Sequence, residues 1–289
     1  MAFLLRDQSF DFTRQPAVMG ILNVTPDSFS DGGSFLRPER AVARGLEMIR
    51  EGATIIDVGP ESTRPGSVAV SESEQLSRAI EVIARLREAD SECVISVDTR
   101  LATVAEAALD AGADLINDVS ALRDDPRMAE VAADRGVPVV LMHRRGDAQT
   151  MQAGGGPHYD DVVADILGFL RERIDWAISQ GLQAERIIVD PGIGFGKRNE
   201  HNWAILGATA RFAELGFPVL VGASRKRFLG RGLGVTDRST NAQADERLAG
   251  SLACAACATL SGAAILRVHD VRETVDVVKT CCAIRDAAV

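Results

Sequence analysis

Apolar residues in this chain fall in short continuous runs rather than in strict alternation. Eight such runs occur: 17–24 (AVMGILNV), 54–58 (TIIDV), 93–97 (CVISV), 114–117 (DLIN), 137–142 (VPVVLM), 186–189 (RIIV), 217–222 (FPVLVG) and 264–268 (AILRV). Runs of this kind suit parallel strands buried on both faces. Longer stretches with helical spacing separate them. Ser71 followed by Glu74 predicts a capping box at one helix start, and Asp125-Pro126 predicts a cap and a first-turn proline at another. Gly52, Gly112, Gly136, Gly181 and Gly216 stand where helices should end in a left-handed turn. Eight βα units with no linker or low-complexity break predict an α/β protein, a single (β/α)8 TIM barrel. It would be one domain over 1–289, with 1–16 as an N-terminal extension. A doubly wound sheet is the alternative that the pattern leaves open.

Composition narrows the class. Hydrophobic residues make up 46% and charged residues 25%, as in a globular protein with a sizeable core. Aromatics are only 4%, so that core must be built from Ala, Val, Ile and Leu. The 32 Lys+Arg against 41 Asp+Glu give a net charge of -9, with no basic stripe, which argues against nucleic acid as a partner. An anionic small molecule stays possible, because it responds to the local field of a cleft. The start MAFLLRDQSFDF lacks a signal-peptide layout, and no run approaches the roughly 20 apolar residues of a membrane span. The small-residue stretch 251–266 reads as a buried helix running toward a strand. Cys254 and Cys257 form C-x-x-C inside it without a second ligand pair, so the five cysteines read as core residues of a cytoplasmic protein. Only three of the 32 basic residues are lysine: Lys197, Lys226 and Lys279. Where Arg so dominates, a retained lysine is informative.

A barrel places its active site at the C-terminal ends of the strands. Those ends carry Asn23, Asp57 with Glu61-Ser62-Thr63-Arg64, Asp98, Asn117, His143, Asp190, Ser224-Arg225-Lys226, and Arg267 with His269. Asp190 is a carboxylate suited to paired N–H donors on a heterocycle bearing an amino group, and Asn117 offers both a donor and an acceptor to such a ring. Asp98 suits the same role or the stabilisation of a developing cation; its alternative is a helix cap. Lys226 is either a Schiff-base lysine or a donor to a ligand carbonyl. Arg267 and His269 are two apart on a strand and point the same way, a natural phosphate clamp. With Asn23 and a Mg²⁺ ion they suit a pyrophosphate. His143 reads equally as structural or catalytic, and His158 and His201 read as surface or loop residues. The Gly192/Gly194/Gly196 pattern before Lys197 matches no phosphate-binding spacing and indicates a tight turn. Two long connections, 24–37 and 59–70, read as loops over the catalytic face. Asp31 lies in the first and Thr63, Arg64 and Pro65 in the second.

MGILNVTPDSFSDGG (19–33), IDVGPESTRPG (56–66), ISVDT (95–99), LINDVS (115–120), VLMH (140–143), VDPGIGFGK (189–197), GASRKRFLG (222–230) and LRVHDV (266–271) together resemble the bacterial dihydropteroate synthase family. The resemblance spans nearly the whole chain, one motif per strand. It implies condensation of 6-hydroxymethyl-7,8-dihydropterin pyrophosphate with p-aminobenzoate, giving 7,8-dihydropteroate and pyrophosphate in folate synthesis. It also implies a Mg²⁺ cofactor, inhibition by sulfonamides and a homodimer. Asp98, Asn117, Asp190 and Lys226 would hydrogen-bond the pterin, with Met142 lining its pocket and Arg267 stacked on the ring. Asn23, Arg267 and His269 would hold pyrophosphate, with Asn23 and Asp31 on the metal. Thr63, Arg64, Pro65, Phe195, Ser224 and Lys226 would take p-aminobenzoate, with Phe29 beside them. Catalysis would rest on Asp98, Lys226, Arg267 and His269, Lys226 acting as a donor. The chain departs from the family at Gly59-Pro60, at Arg144-Arg145 and at the three glycines 154–156. A pterin-binding methyltransferase, a silent paralogue and a lysine aldolase are the competing readings.

Overall fold

The structure, a computed structural model, describes residues 2–6, 8–25, 37–61, 70–146, 157–232 and 247–287. Among these, β1 (Ala2–Leu5) and β2 (Gln8–Asp11) form an antiparallel hairpin. The remaining strands are β3 (Ala17–Asn23), β4 (Ile55–Gly59), β5 (Val94–Asp98), β6 (Leu115–Asp118), β7 (Val139–Met142), β8 (Ile187–Asp190), β9 (Leu220–Val221) and β10 (Ile265–Val268). They form one parallel sheet in the order β8-β7-β6-β5-β4-β3-β10-β9. A parallel bridge between Val189 and Val219, with the Val189 amide 2.9 Å from the Pro218 carbonyl, brings the two edges together. Sequential order with closure is a (β/α)8 barrel and excludes the doubly wound sheet. Each of the eight apolar runs carries one barrel strand.

Alternation along the strands sorts side chains into two cores. Met19, Ile55, Val94, Leu115, Val140, Ile188, Leu220 and Ile265, one from each barrel strand, form an inner layer. Phe3 and Leu5 of the hairpin join that layer, so the N-terminal extension plugs the bottom of the barrel. Their immediate neighbours, such as Ile56, Ile95, Ile116, Leu141, Val189 and Leu266, face outward and pack on the helices. One inward step above the floor layer come Asp57, Ser96, Asn117, Met142, Asp190 and Arg267. Burial of Val, Ile and Leu below them therefore fixes where these polar groups stand.

Local signals in the sequence are mostly kept. The five helix-end glycines all take positive φ. Ser71 caps the helix Glu72–Ala89 by accepting from the Glu74 amide, but Glu74 gives its carboxylate to Arg78, so the box is only half formed. Asp125 does not cap the helix Met128–Arg135. Its carboxylate accepts from the Ala102 amide at 2.8 Å, at the start of the neighbouring helix Ala102–Asp110, and from the Arg127 amide. The stretch 251–266 is the end of the helix Leu248–Leu260 followed by β10, and no described helix is long and apolar enough to cross a membrane. Cys254 lies inward and Cys257 outward on that helix, and all five cysteines are free thiols.

Candidate active site

At the centre of the barrel mouth one guanidinium lies between two carboxylates. Arg267 Nε donates to Asp57 Oδ2 at 2.6 Å, and a terminal nitrogen donates to Asp98 Oδ2 at 2.7 Å. Asn117 Nδ2 donates to the same Asp57 oxygen at 3.1 Å. Strand register explains the meeting: Asp98 pairs with Asn117 across β5 and β6, while Asp57 sits level with Ser96, one step deeper. Burial works against the Arg267 charge, but the two carboxylates more than offset it and hold its proton above the usual range. Burial pushes Asp98 up to about 7; Arg267 opposes the rise, and Asp57, Asp118 and Glu61 add to it.

The adjoining wall comes from the turn 190–197. Asp190 is buried and accepts from the Gly192 amide at 2.7 Å; burial raises its pKa, against the pull of the Lys226 charge. Gly192, Gly194 and Gly196 all have positive φ. A Cβ at Gly192 would overlap the His143 carbonyl, and one at Gly196 the Arg145 carbonyl, so the turn lies directly on the chain leaving β7. Gly194 lies under the Lys226 stem. Lys226 reaches over the same turn: its ammonium donates to the Ile193 carbonyl and stands 4.7 Å from the centre of the Phe195 ring. Burial lowers Lys226 to about 8, with Asp190 resisting and Arg267 assisting.

Opposite, Ser224 serves His269. Its hydroxyl accepts from the His269 amide at 3.2 Å and lies 3.1 Å from the ring Nδ1. The next residue, Arg225, has a left-handed backbone (φ 57°) and forks onto Asp270, tying the loops after β9 and β10 together.

The sequence-predicted residues therefore divide. Asp98, Asn117, Met142, Asp190, Phe195, Ser224, Lys226, Arg267 and His269 gather at the mouth, with Asn23 at the end of β3. Thr63, Arg64, Pro65, Asp31 and Phe29 lie outside the described residues, as do the glycines 154–156. The expectation for His201 is corrected, and of the two readings left open for His143 the geometry fits the structural one. His201 is buried, its Nδ1 accepting from the Arg198 amide at the head of the helix Asn199–Gly207. His143 turns outward from the barrel, its ring 4.8 Å edge-on from Phe169 and 2.8 Å from Lys197 Nζ. Arg144 pairs with Asp124, which also takes Arg100, giving that departure a place in a rim network. The centre of the site adds Asp57, visible in the sequence only as one strand-end acid among several.

Fold and site together define a (β/α)8 barrel of the enzyme type, with buried carboxylates, an arginine, a lysine and an amide gathered at the mouth. The chain matches the pterin-binding enzyme family over residues 19–269. It is 45% identical over 264 residues to dihydropteroate synthase of Haemophilus influenzae, covering 91% of this chain and 92% of that one. The Escherichia coli K12 dihydropteroate synthase gives 45% over 279 residues, 96% and 95% of the two chains. The Yersinia pestis enzyme, solved with a sulfonamide drug, superposes with a TM-score of 0.89 at 41% identity over 99% of this chain and all of that one. The Xanthomonas albilineans enzyme with 7,8-dihydropteroate gives 0.86 at 43% identity over 99% of both. The chain belongs to the pterin-binding enzyme family and, within it, to the dihydropteroate synthases. It is a transferase of folate synthesis, joining a dihydropterin pyrophosphate to p-aminobenzoate.

Proposed function

We propose that the condensation runs at this mouth as a displacement without a protein nucleophile, carried out by one barrel domain. The observation that carries this reading is the buried Asp57–Arg267–Asp98 array, which puts a fixed cation and a carboxylate side by side at the strand ends. Asp98, Asn117, Asp190 and Lys226 hydrogen-bond the pterin, Met142 lines its pocket and Arg267 covers the ring. Asn23, Arg267 and His269 hold the pyrophosphate. Phe195, Ser224 and Lys226, with Thr63, Arg64 and Pro65, take p-aminobenzoate. As the C–O bond to pyrophosphate breaks, the Arg267 and His269 side chains face the departing charge. The delocalised pterin cation then sits beside the Asp98 carboxylate. The neutral arylamine attacks the methylene, the C–N bond forms, and the amine proton passes to water.

Mg²⁺ fits the rim. Asn23 ends β3 with its amide oxygen facing Gly59, a neutral hard donor of the type this ion takes. Asp31 is the second proposed ligand. When bound, the ion would neutralise charge on the pyrophosphate oxygens. The chain is further proposed to be cytoplasmic, to be inhibited by sulfonamides, and to pair as a homodimer. The exposed Leu260 and Ile284 near the C-terminus support that pairing.

The test is a comparison of two ligands. Arg267→Ala and His269→Ala should weaken dihydropterin pyrophosphate far more than free dihydropterin. Equal losses for both ligands would contradict the clamp. Borohydride trapping of substrate on Lys226 would replace this reading with Schiff-base chemistry.

A further inference from the structure

Asp57 belongs to no role assigned above, yet it is the most deeply placed charge in the site. Its side chain is 0% exposed, enclosed below the mouth on the inward face of β4. One oxygen, Oδ2, accepts from Arg267 Nε and Asn117 Nδ2 and is ion-paired at 2.6 Å with the Arg267 terminal nitrogen that donates to Asp98. Nothing in folding the barrel calls for an acid here, since the floor layer beneath is apolar. A buried carboxylate is kept only where partners match its charge.

We infer that Asp57 is a positioning residue that sets the orientation of both Arg267 and Asn117 toward the substrate. This inference rests on the reading of Arg267 as the group facing ring and pyrophosphate. Two features of the bonding carry it. A hydrogen bond at Nε fixes the plane of a guanidinium, because Nε is the hinge between its aliphatic stem and its fork. With that hinge held from below, the terminal nitrogens stay directed along the mouth whether or not Asp98 keeps its bond to them. Asp98 lies one step nearer the opening and can turn to a ligand; Asp57 stays with the arginine. The second feature is polarity. An asparagine side chain presents a donor at one end and an acceptor at the other, and its neighbours decide which way round it lies. Donation from Nδ2 to Asp57 leaves Asn117 Oδ1 as an acceptor for a ring N–H. A single buried oxygen thus fixes a cation and an amide, and acts on substrate only through them.

The experiment is Asp57→Asn, nearly identical in shape. D57N is expected to raise KM for dihydropterin pyrophosphate about tenfold or more. KM for p-aminobenzoate should stay within about twofold, a split that general loosening of the fold would not produce. In an R267K background, D57N should add little further loss, since both substitutions break the same link. Independent, multiplying losses would overturn the inference. D57N with wild-type KM values, while R267A still weakens dihydropterin pyrophosphate, would overturn it alone. An R267A enzyme equal to wild type would instead overturn the reading of Arg267. Should D57N not fold, wild-type protein still reports. The Arg267 Nε–H proton, assigned by its loss in R267K, should exchange slowly with and without ligand; fast exchange in the free protein would overturn the inference.

Discussion

The amine of Lys197 lies 2.8 Å from His143 Nδ1, 3.0 Å from the His143 carbonyl and 3.1 Å from the Phe195 carbonyl. It is 2% exposed, and burial drives its pKa well below the usual lysine range despite Asp190. The contact joins the end of β7 to the turn that carries Phe195, and through Phe195 it supports Lys226.

Lys197→Met should therefore act at a distance. The apolar stem still fits, but His143 and two carbonyls lose a partner, a loss of about 1–3 kcal/mol for each buried group left unmatched. Thermal unfolding should register that loss, and KM for p-aminobenzoate should rise because the Phe195 wall is no longer tied down. A variant as stable as wild type with unchanged KM would show that the tie is dispensable.

His143 makes the folded protein sensitive to acid. Burial and the nearby Lys197 charge push it down to about 2, so in the folded state it stays neutral where an unfolded chain would take up a proton. The unfolded state thus binds more protons below about pH 6.5, and stability falls as pH drops through that point. Asp98, with its raised pKa, acts in the opposite direction over part of the same range, so the wild type must be compared with His143→Gln. The gap between the two should shift against the wild type by about 1.4 kcal/mol per pH unit below about 6. Parallel denaturant curves from pH 7 to 5 would disprove it.

The free enzyme should show a narrow bell in kcat/KM against pH. Asp98 must ionise to face a cation, and it does so at about 7; Lys226 must keep its proton, and it loses it at about 8. Activity should climb through the first value and decline through the second. Lys226→Arg retains charge at higher pH, so its basic limb should move up even as the maximum falls. An unmoved limb would assign it to another group.

Leu5→Ala tests the separation of the two barrel ends. Leu5 is fully buried in the floor layer. Its truncation should cost about 2–5 kcal/mol in denaturant unfolding with both KM values unchanged. A change in KM would mean that the plug communicates with the mouth.

The fold was highly legible in the sequence because strands buried on both faces must be apolar throughout, and each such run stands out against its helices. The polar ends were legible for the same reason: Asp98, Asn117, Asp190 and Arg267 interrupt apolar runs. Asp57 does not stand out in the sequence, since its depth depends on the stagger of β4 against β5, which no local pattern records. The His143–Lys197 tie joins residues 54 apart and needs the folded turn to appear. His201 looked like a surface residue because apolar side chains in its short helix are not gathered on one face. Asp125 read as the cap of its own helix and serves a neighbour instead, a contact set by how the two helices pack.

The barrel floor also orders events in time. Phe3 and Leu5 precede every barrel strand in the sequence, yet the layer they complete includes Leu220 and Ile265. Until β9 and β10 have been synthesised, the hairpin has no finished surface to close on, and its phenylalanines stay open to solvent or to a chaperone. Long-range closure of this kind slows folding. A chain halted before residue 265 would therefore present an unsealed barrel, with a hairpin made before the barrel strands the last to find its place.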